Sequence, residues 1–181
     1  ERASTEERIT TIIAGWDGII EGNQKTYGRV IDNFLEHTYQ RSLITKIRQP
    51  LNTMDRIILI LPNNVVYKPG FEDAIAIIKD IASQLSTTIK GFVLRDDLDI
   101  YENVSGRVRP NIKIGFHSKD SWDSLYENDL NDLKSTDLVI LLSARKSTVA
   151  WNPELEDMPK KLATLNSGNF IVFYPTEMKE T

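Results

Sequence analysis

Glycine lets backbone amides turn toward an anion, because it tolerates positive φ and has no Cβ to hold a phosphate away. The stretch GWDGIIEGNQKTYGRV, residues 15 to 30, holds Gly15 and Gly18 with two residues between them, then Gly28 after nine more, then Arg29. Such a loop after an apolar run suits phosphate, with the Arg29 guanidinium as a further anion ligand. A second candidate lies in SARKSTVAWNPELED (Ser143 to Asp157). There Ser143, Arg145, Lys146, Ser147 and Thr148 follow another apolar run, at the kind of strand end where open parallel sheets take ligands, and they suit an anion. The segment has no glycine, so its backbone is not built to wrap a phosphate.

The remaining reactive side chains do not assemble by spacing. Asp96, Asp97, Asp99 and Glu102 supply carboxylates, but not at calcium-loop spacing, and read as a solvated loop. His37 and His117 have no second histidine nearby, and cysteine is absent, which excludes thiol catalysis, disulfides and cysteine-ligated zinc. Neither a Gly-x-Ser-x-Gly elbow nor a Gly-x-Gly-x-x-Gly turn occurs. Trp16, Trp122 and Trp151 read as packing residues, with Trp151, beside Asn152-Pro153, placed to close a pocket mouth. No catalytic or metal set emerges, and the chain is expected not to be an enzyme. The competing enzyme reading, a doubly wound nucleotide hydrolase, would have to rely on Asp96, Asp97 and His117.

Alternating strands and helices would position these groups. IILIL (Ile57 to Leu61), IKGFVLR (Ile89 to Arg95), NIKIGFH (Asn111 to His117), DLVILL (Asp137 to Leu142) and NFIVFY (Asn169 to Tyr174) are short apolar runs and predict buried strands. Phe71 to Leu85 repeats apolar residues at helical spacing, with Glu72, Asp73, Lys79 and Asp80 expected to face solvent. Asp96 to Pro110 is polar and is expected to be loop or a short helix. Trp122, Leu125, Tyr126, Leu130 and Leu133 mark another helical face. Asn152-Pro153 opens a last helix, which Pro159 should kink or restart and Gly168 should stop. Five apolar strands alternating with helices predict an open, mostly parallel α/β sheet covered on both faces over residues 55 to 181. Residues 1 to 54 hold only ITTIIA (Ile9 to Ala14), VIDNFLEHT (Val30 to Thr38) and SLITKI (Ser42 to Ile47). This strand-helix-strand unit is expected to be the end of a preceding domain, joined through QPLNTM (Gln49 to Met54).

Composition narrows the function classes. The 181 residues are 40% hydrophobic and 27% charged, an ordinary globular balance. The net charge of -4 leaves no basic stripe for nucleic acid. Residues 1 to 54 carry seven basic and seven acidic side chains, so the excess lies in the remainder. The longest apolar runs fall far short of the roughly 20 residues of a membrane helix. The first residue is Glu1, and the sequence is expected to be a piece of something longer.

The glycine pattern, set between ITTIIA and the VIDNFLEHT helix, resembles the nucleotide loop of universal stress protein domains. Those domains place it after the fourth strand and before the last helix and fifth strand. The resemblance implies ATP or another adenine nucleotide as ligand, contacted by Gly15, Gly18, Gly28 and Arg29. The family has serine or threonine where this sequence has Arg29. In the second unit Pro62-Asn63-Asn64 stands where the family's first strand ends in aspartate, and no glycine follows the fourth strand. That unit is therefore not expected to bind ATP in the family's way. QPLNTMDRIILILPNNVVYKPGFEDAI (Gln49 to Ile75) resembles the junction of tandem universal-stress-protein-like domains in the cytosolic C-terminal tail of bacterial cation/proton antiporters, monovalent cation:proton antiporter-2 group.

This resemblance implies a fold like that of universal stress proteins and adenine nucleotide alpha hydrolases. It implies a non-catalytic regulatory or dimerisation domain, at the cytoplasmic face of the inner membrane, attached to a membrane transporter part. It also implies a homodimer, with Asn169 to Tyr174 as the edge for pairing between domains or chains. The alternative within the resemblance is a stand-alone nucleotide-binding universal stress protein.

Overall fold

A computed structural model of the chain describes residues 10–19, 22, 25–165 and 168–178. Ile9 of the first expected strand and Ile20, Glu21, Asn23 and Gln24 of the glycine loop lie outside the described residues. Seven strands form one sheet: β1 (Thr11–Gly15), β2 (Arg41–Lys46), β3 (Arg56–Leu61), β4 (Thr88–Leu94), β5 (Ile114–Lys119), β6 (Asp137–Leu142) and β7 (Asn169–Tyr174). Their order is β1-β2-β7-β6-β3-β4-β5. All neighbours run parallel except β2 and β7. The helices are α1 (Arg29–His37), α2 (Phe71–Leu85), α3 (Leu98–Arg107), α4 (Trp122–Asn128) and α5 (Glu154–Leu165).

The α/β, mostly parallel architecture matches the expectation; the strand count does not. The five strands expected from residue 55 onward are joined by β1 and β2, so the first unit extends the same sheet. Antiparallel pairing sets Ser42 opposite Tyr174, Ile44 opposite Val172 and Lys46 opposite Phe170. Strand β7, expected to be an edge for pairing between domains or chains, is hydrogen-bonded on both sides, to β2 of the first unit and to β6, which leaves no edge for a second chain. It has no free edge, and all six of its residues are buried. The edges are β1 and β5, with Ile13 of β1 67% exposed. Strand β5 follows the Asn111-to-His117 expectation with a shift of a few residues toward its C-terminal side.

Of the loop or short helix expected over residues 96–110, the structure has the helix, and two other local readings are corrected. Residues 98–107 form a ten-residue helix, started by the Asp97 carboxylate accepting from the Asp99 amide. Helix α5 passes through Pro159 without a break. Lys79, expected to face solvent, is only 2% exposed. Its Nζ donates to Ser105 O (2.7 Å) and Val108 O (2.9 Å), the carbonyls at the end of α3. A cation at a helix C-terminus meets the negative end of the dipole and satisfies carbonyls that the helix leaves open. Glu72, Asp73 and Asp80 do face solvent.

Linker residues after β2 are fixed by one buried amide. Asn169, the first residue of β7, accepts from the amides of Arg48 (2.7 Å) and Gln49 (3.0 Å) and donates to Gln49 O (2.8 Å).

Candidate functional site

The glycine loop leaves β1 at Gly15 and turns at Gly18, where φ is +79°, and at Gly28, the residue before α1, where φ is +116°. A Cβ on Gly18 would meet only the movable end of the Lys46 side chain, so it is the positive φ that disfavours larger residues there. The amides just ahead of α1 do converge on an anion, but it belongs to the chain. Asp32 accepts from the amides of Thr26 (3.1 Å), Tyr27 (3.0 Å) and Gly28 (3.2 Å). A carboxylate one turn into the helix thus occupies the positive nest that a phosphate would use. Arg29, the first residue of α1, is exposed.

The described residues form a cavity of about 530 Å³ a short distance away. Lys25, Thr26, Tyr27, Asp32, Leu35 and Glu36 form one side; Ala144 to Val149, Trp151, Leu155 and Glu156 form the other. Tyr174 and Glu177 also line it, as do Thr38, Tyr39, Pro69 and Met178. Gly15, Gly18, Gly28 and Arg29 are not among the lining residues. Trp151 is, as its place beside the Asn152-Pro153 cap suggested, and Lys146 Nζ sits 5.6 Å from its ring centroid.

The cavity straddles the β2–β7 seam. Thr26 Oγ1 donates to Glu156 O at 3.3 Å, linking the loop before α1 to α5. The hydroxyls of Tyr27 and Tyr174 meet at 2.9 Å, both rings buried. Burial pushes the Tyr174 hydroxyl up to about 12, against the pull of its hydrogen bond with Tyr27. Burial also pushes Tyr27 well above the ordinary tyrosine value. Below about pH 10 tyrosines are neutral in folded and unfolded chains alike, so this contribution is fully present. Between about pH 10 and about 12 the unfolded chain releases the Tyr174 proton and the folded chain keeps it, so stability falls as pH rises. Tyr174→Phe is expected to flatten the wild-type loss in that window by about 1.4 kcal/mol per pH unit. Urea midpoints at stepped alkaline pH measure it, and equal slopes would contradict the upward shift that burial gives the Tyr174 hydroxyl.

The polar segment after β6, an anion candidate from its sequence, is partly built into the fold. Arg145 donates through Nη1 to Pro175 O (2.8 Å) and through Nη2 to Gln40 O (2.7 Å) and Ser42 Oγ (3.2 Å). Its Nε is buried without a hydrogen-bond partner, and its guanidinium lies 5.6 Å from the Tyr174 ring centroid. Thr148 Oγ1 accepts from Lys68 Nζ at 3.1 Å, and Lys68 is ion-paired with Glu177. Lys68 was not singled out from the sequence, since a lone lysine before Pro69-Gly70 carries no local signal. At the cavity mouth, Lys25 pairs with Glu36 (2.8 Å) and Lys146 approaches Glu156 (3.8 Å).

The acidic group has structural uses. Asp96 accepts from the Asn64 amide (2.6 Å) and the Tyr101 hydroxyl (2.6 Å), and Asp97 caps α3. Among the described residues no three histidine, aspartate or glutamate side chains come together as a metal set. No helix among them is long and apolar enough to cross a membrane.

No family model matches the sequence, and no curated protein matches it. Among solved structures the chain is similar to a functionally unknown protein from Pseudomonas aeruginosa, at a TM-score of 0.56 and 13% identity. The match covers 96% of this chain and 66% of that one, so the present chain spans just under two thirds of its length. At that identity the likeness concerns the fold alone.

Proposed function

We propose that the chain is a non-catalytic regulatory domain that reads an adenine nucleotide in the cavity across the β2–β7 seam. One observation carries this reading: the cavity wall is drawn from both sides of the seam, residues 25–39 on one and residues 144–156 on the other. A ligand touching both favours the arrangement in which both close on it, so its binding is coupled to how the first unit seats on the second. Trp151 and Tyr39 offer aromatic faces for a base, and Arg145 and Lys146 offer cations for phosphate.

Within the same reading the fold is universal stress protein-like. Strands β3 to β7 form one unit, and β1, α1 and β2 form the end of a preceding one. The parallel order β5-β4-β3-β6-β7, and the joining of the units last strand to last strand, support it. The domain would then serve in the cytosolic tail of a cation/proton antiporter of the monovalent cation:proton antiporter-2 group, with transport chemistry in a membrane part.

Thermal unfolding with millimolar ATP or AMP tests the ligand. Binding to the folded chain alone raises the midpoint, by about 2.7 kcal/mol of added stability at 100 times Kd. The rise is expected to vanish in Trp151→Ala and to persist in Arg29→Ala. The opposite pattern would return the site to the glycine loop, and no rise with either nucleotide would end the nucleotide reading.

A further inference from the structure

Residues 175–178, after β7, lie across the carboxyl end of the sheet and are held there by several contacts. The Glu177 amide donates to Tyr39 O at 2.9 Å, and Pro175 O accepts from Arg145. Gly70 packs so closely beneath that a Cβ there would lie 2.7 Å from Thr176 O. The Glu177 carboxylate pairs with Lys68, whose side chain is wholly buried. In this position the strap covers the crevice beside β3 and β6, the two neighbours whose connections leave in opposite directions along the sheet. Ligands of open parallel sheets bind at such a point.

Charge at this point is not balanced. Lys68 and Arg145 both lie within electrostatic range of Glu177 and of each other. Arg145 spends its Nη hydrogen bonds on neutral oxygens, and its buried Nε has no partner. The other charges in the wall are already answered: Glu36 by Lys25, Glu156 by Lys146, and Asp32 by three amides. A buried lysine and a half-buried arginine therefore face one carboxylate. A dianion would balance both, and its extra oxygens could take up the free Nε and, once it turns from Arg145 O (2.7 Å), the Thr148 hydroxyl.

We infer that Lys68, Arg145 and Thr148 form a phosphate-binding site that Glu177 occupies in cis, and that a phosphate dianion displaces Glu177 and releases the strap. Glu177 and Thr148 line the cavity, so displacement opens Lys68 to it. A phosphate group enters either free or as the terminus of a small phosphate monoester whose organic part fills the cavity. The monoester case rests on the proposed nucleotide reading; the free-phosphate case does not.

Calorimetric titration of the whole chain with inorganic phosphate, against chloride at equal ionic strength, tests the site at mildly alkaline pH. Removing the internal competitor in Glu177→Gln is expected to tighten phosphate binding at least tenfold over wild type. Lys68→Met is expected to abolish it. Because Lys68→Met risks the fold, Thr148→Val, which removes one hydroxyl at a site open to the cavity, is expected to weaken binding severalfold in the Glu177→Gln background. Saturating phosphate is also expected to speed hydrogen exchange at the Glu177 amide of the wild type at least tenfold. Equal phosphate affinity in wild type and Glu177→Gln, or no saturable binding in Glu177→Gln, overturns the inference. AMP in place of phosphate separates the sources. Binding of phosphate without AMP leaves the anion site standing and removes the nucleotide reading. Binding of AMP to the wild type with no gain in Glu177→Gln does the reverse.

Discussion

The double substitution Phe170→Lys plus Val172→Lys is expected to leave no cooperatively folded chain. Both side chains are wholly buried in β7, between β2 and β6, and Phe170 packs edge-on against Trp16, 6.2 Å between ring centroids. Each replacement gives up about 1.5–3 kcal/mol of apolar burial. Each also puts an unpaired ammonium where no water reaches, at a further cost of several kcal/mol. Together these approach the about 5–15 kcal/mol that holds a domain folded. Circular dichroism during urea titration is expected to show no sigmoidal transition. If β7 were an exposed pairing edge, the same variant would stay folded and only its mass on sizing with light scattering would halve. A folded, smaller species would therefore reinstate the edge-strand reading.

Asn169→Ala is the second large effect, expected to cost about 2–4 kcal/mol. Its amide serves three backbone groups of Arg48 and Gln49, residues more than a hundred positions away in the chain. Removing it strands two N–H groups and one carbonyl beside a buried strand, and each group that stays dry costs about 1–3 kcal/mol. Gln49 is half-buried and Arg48 exposed, so water recovers part of the loss and keeps the total below the sum. The unfolding midpoint should fall, and the Arg48 and Gln49 amides should exchange with solvent faster than those in the middle of β3. A midpoint equal to wild type would mean that the linker is held by its other contacts. Asn169→Asp keeps the two acceptor bonds but sets a buried carboxylate oxygen against Gln49 O, so it is expected to be destabilising as well.

Strands β6 and β7 and helix α2 run over the residues that their apolar patterns delimit. A strand covered on both faces must be apolar throughout, and a helix packed on one face must repeat at 3.6 residues, so these elements are written locally. Helix α3 was harder to read because Tyr101 and Ser105 are its only buried residues, and its C-terminal carbonyls are answered by Lys79 from another helix. The turns at Gly18 and Gly28 were legible from residue type, since both take positive φ. The filling of the amide nest by Asp32 was not, because it depends on which way one side chain turns back.

Residue order by itself determined the alternation of strands and helices, the parallel α/β class, the faces that must be buried and the places where the chain must turn. Each follows from a short-range period or from the φ range of a single residue. Tertiary structure decided that β2 seals β7, that Lys68 and Lys79 end in the interior, and that Thr26, Trp151, Tyr174 and Glu177 share one cavity. The physical reason is separation along the chain. Strand edges satisfy their hydrogen bonds with whichever edge the fold brings alongside. A long cationic side chain is buried only where distant carbonyls or a carboxylate are waiting for it, and no local pattern records that meeting.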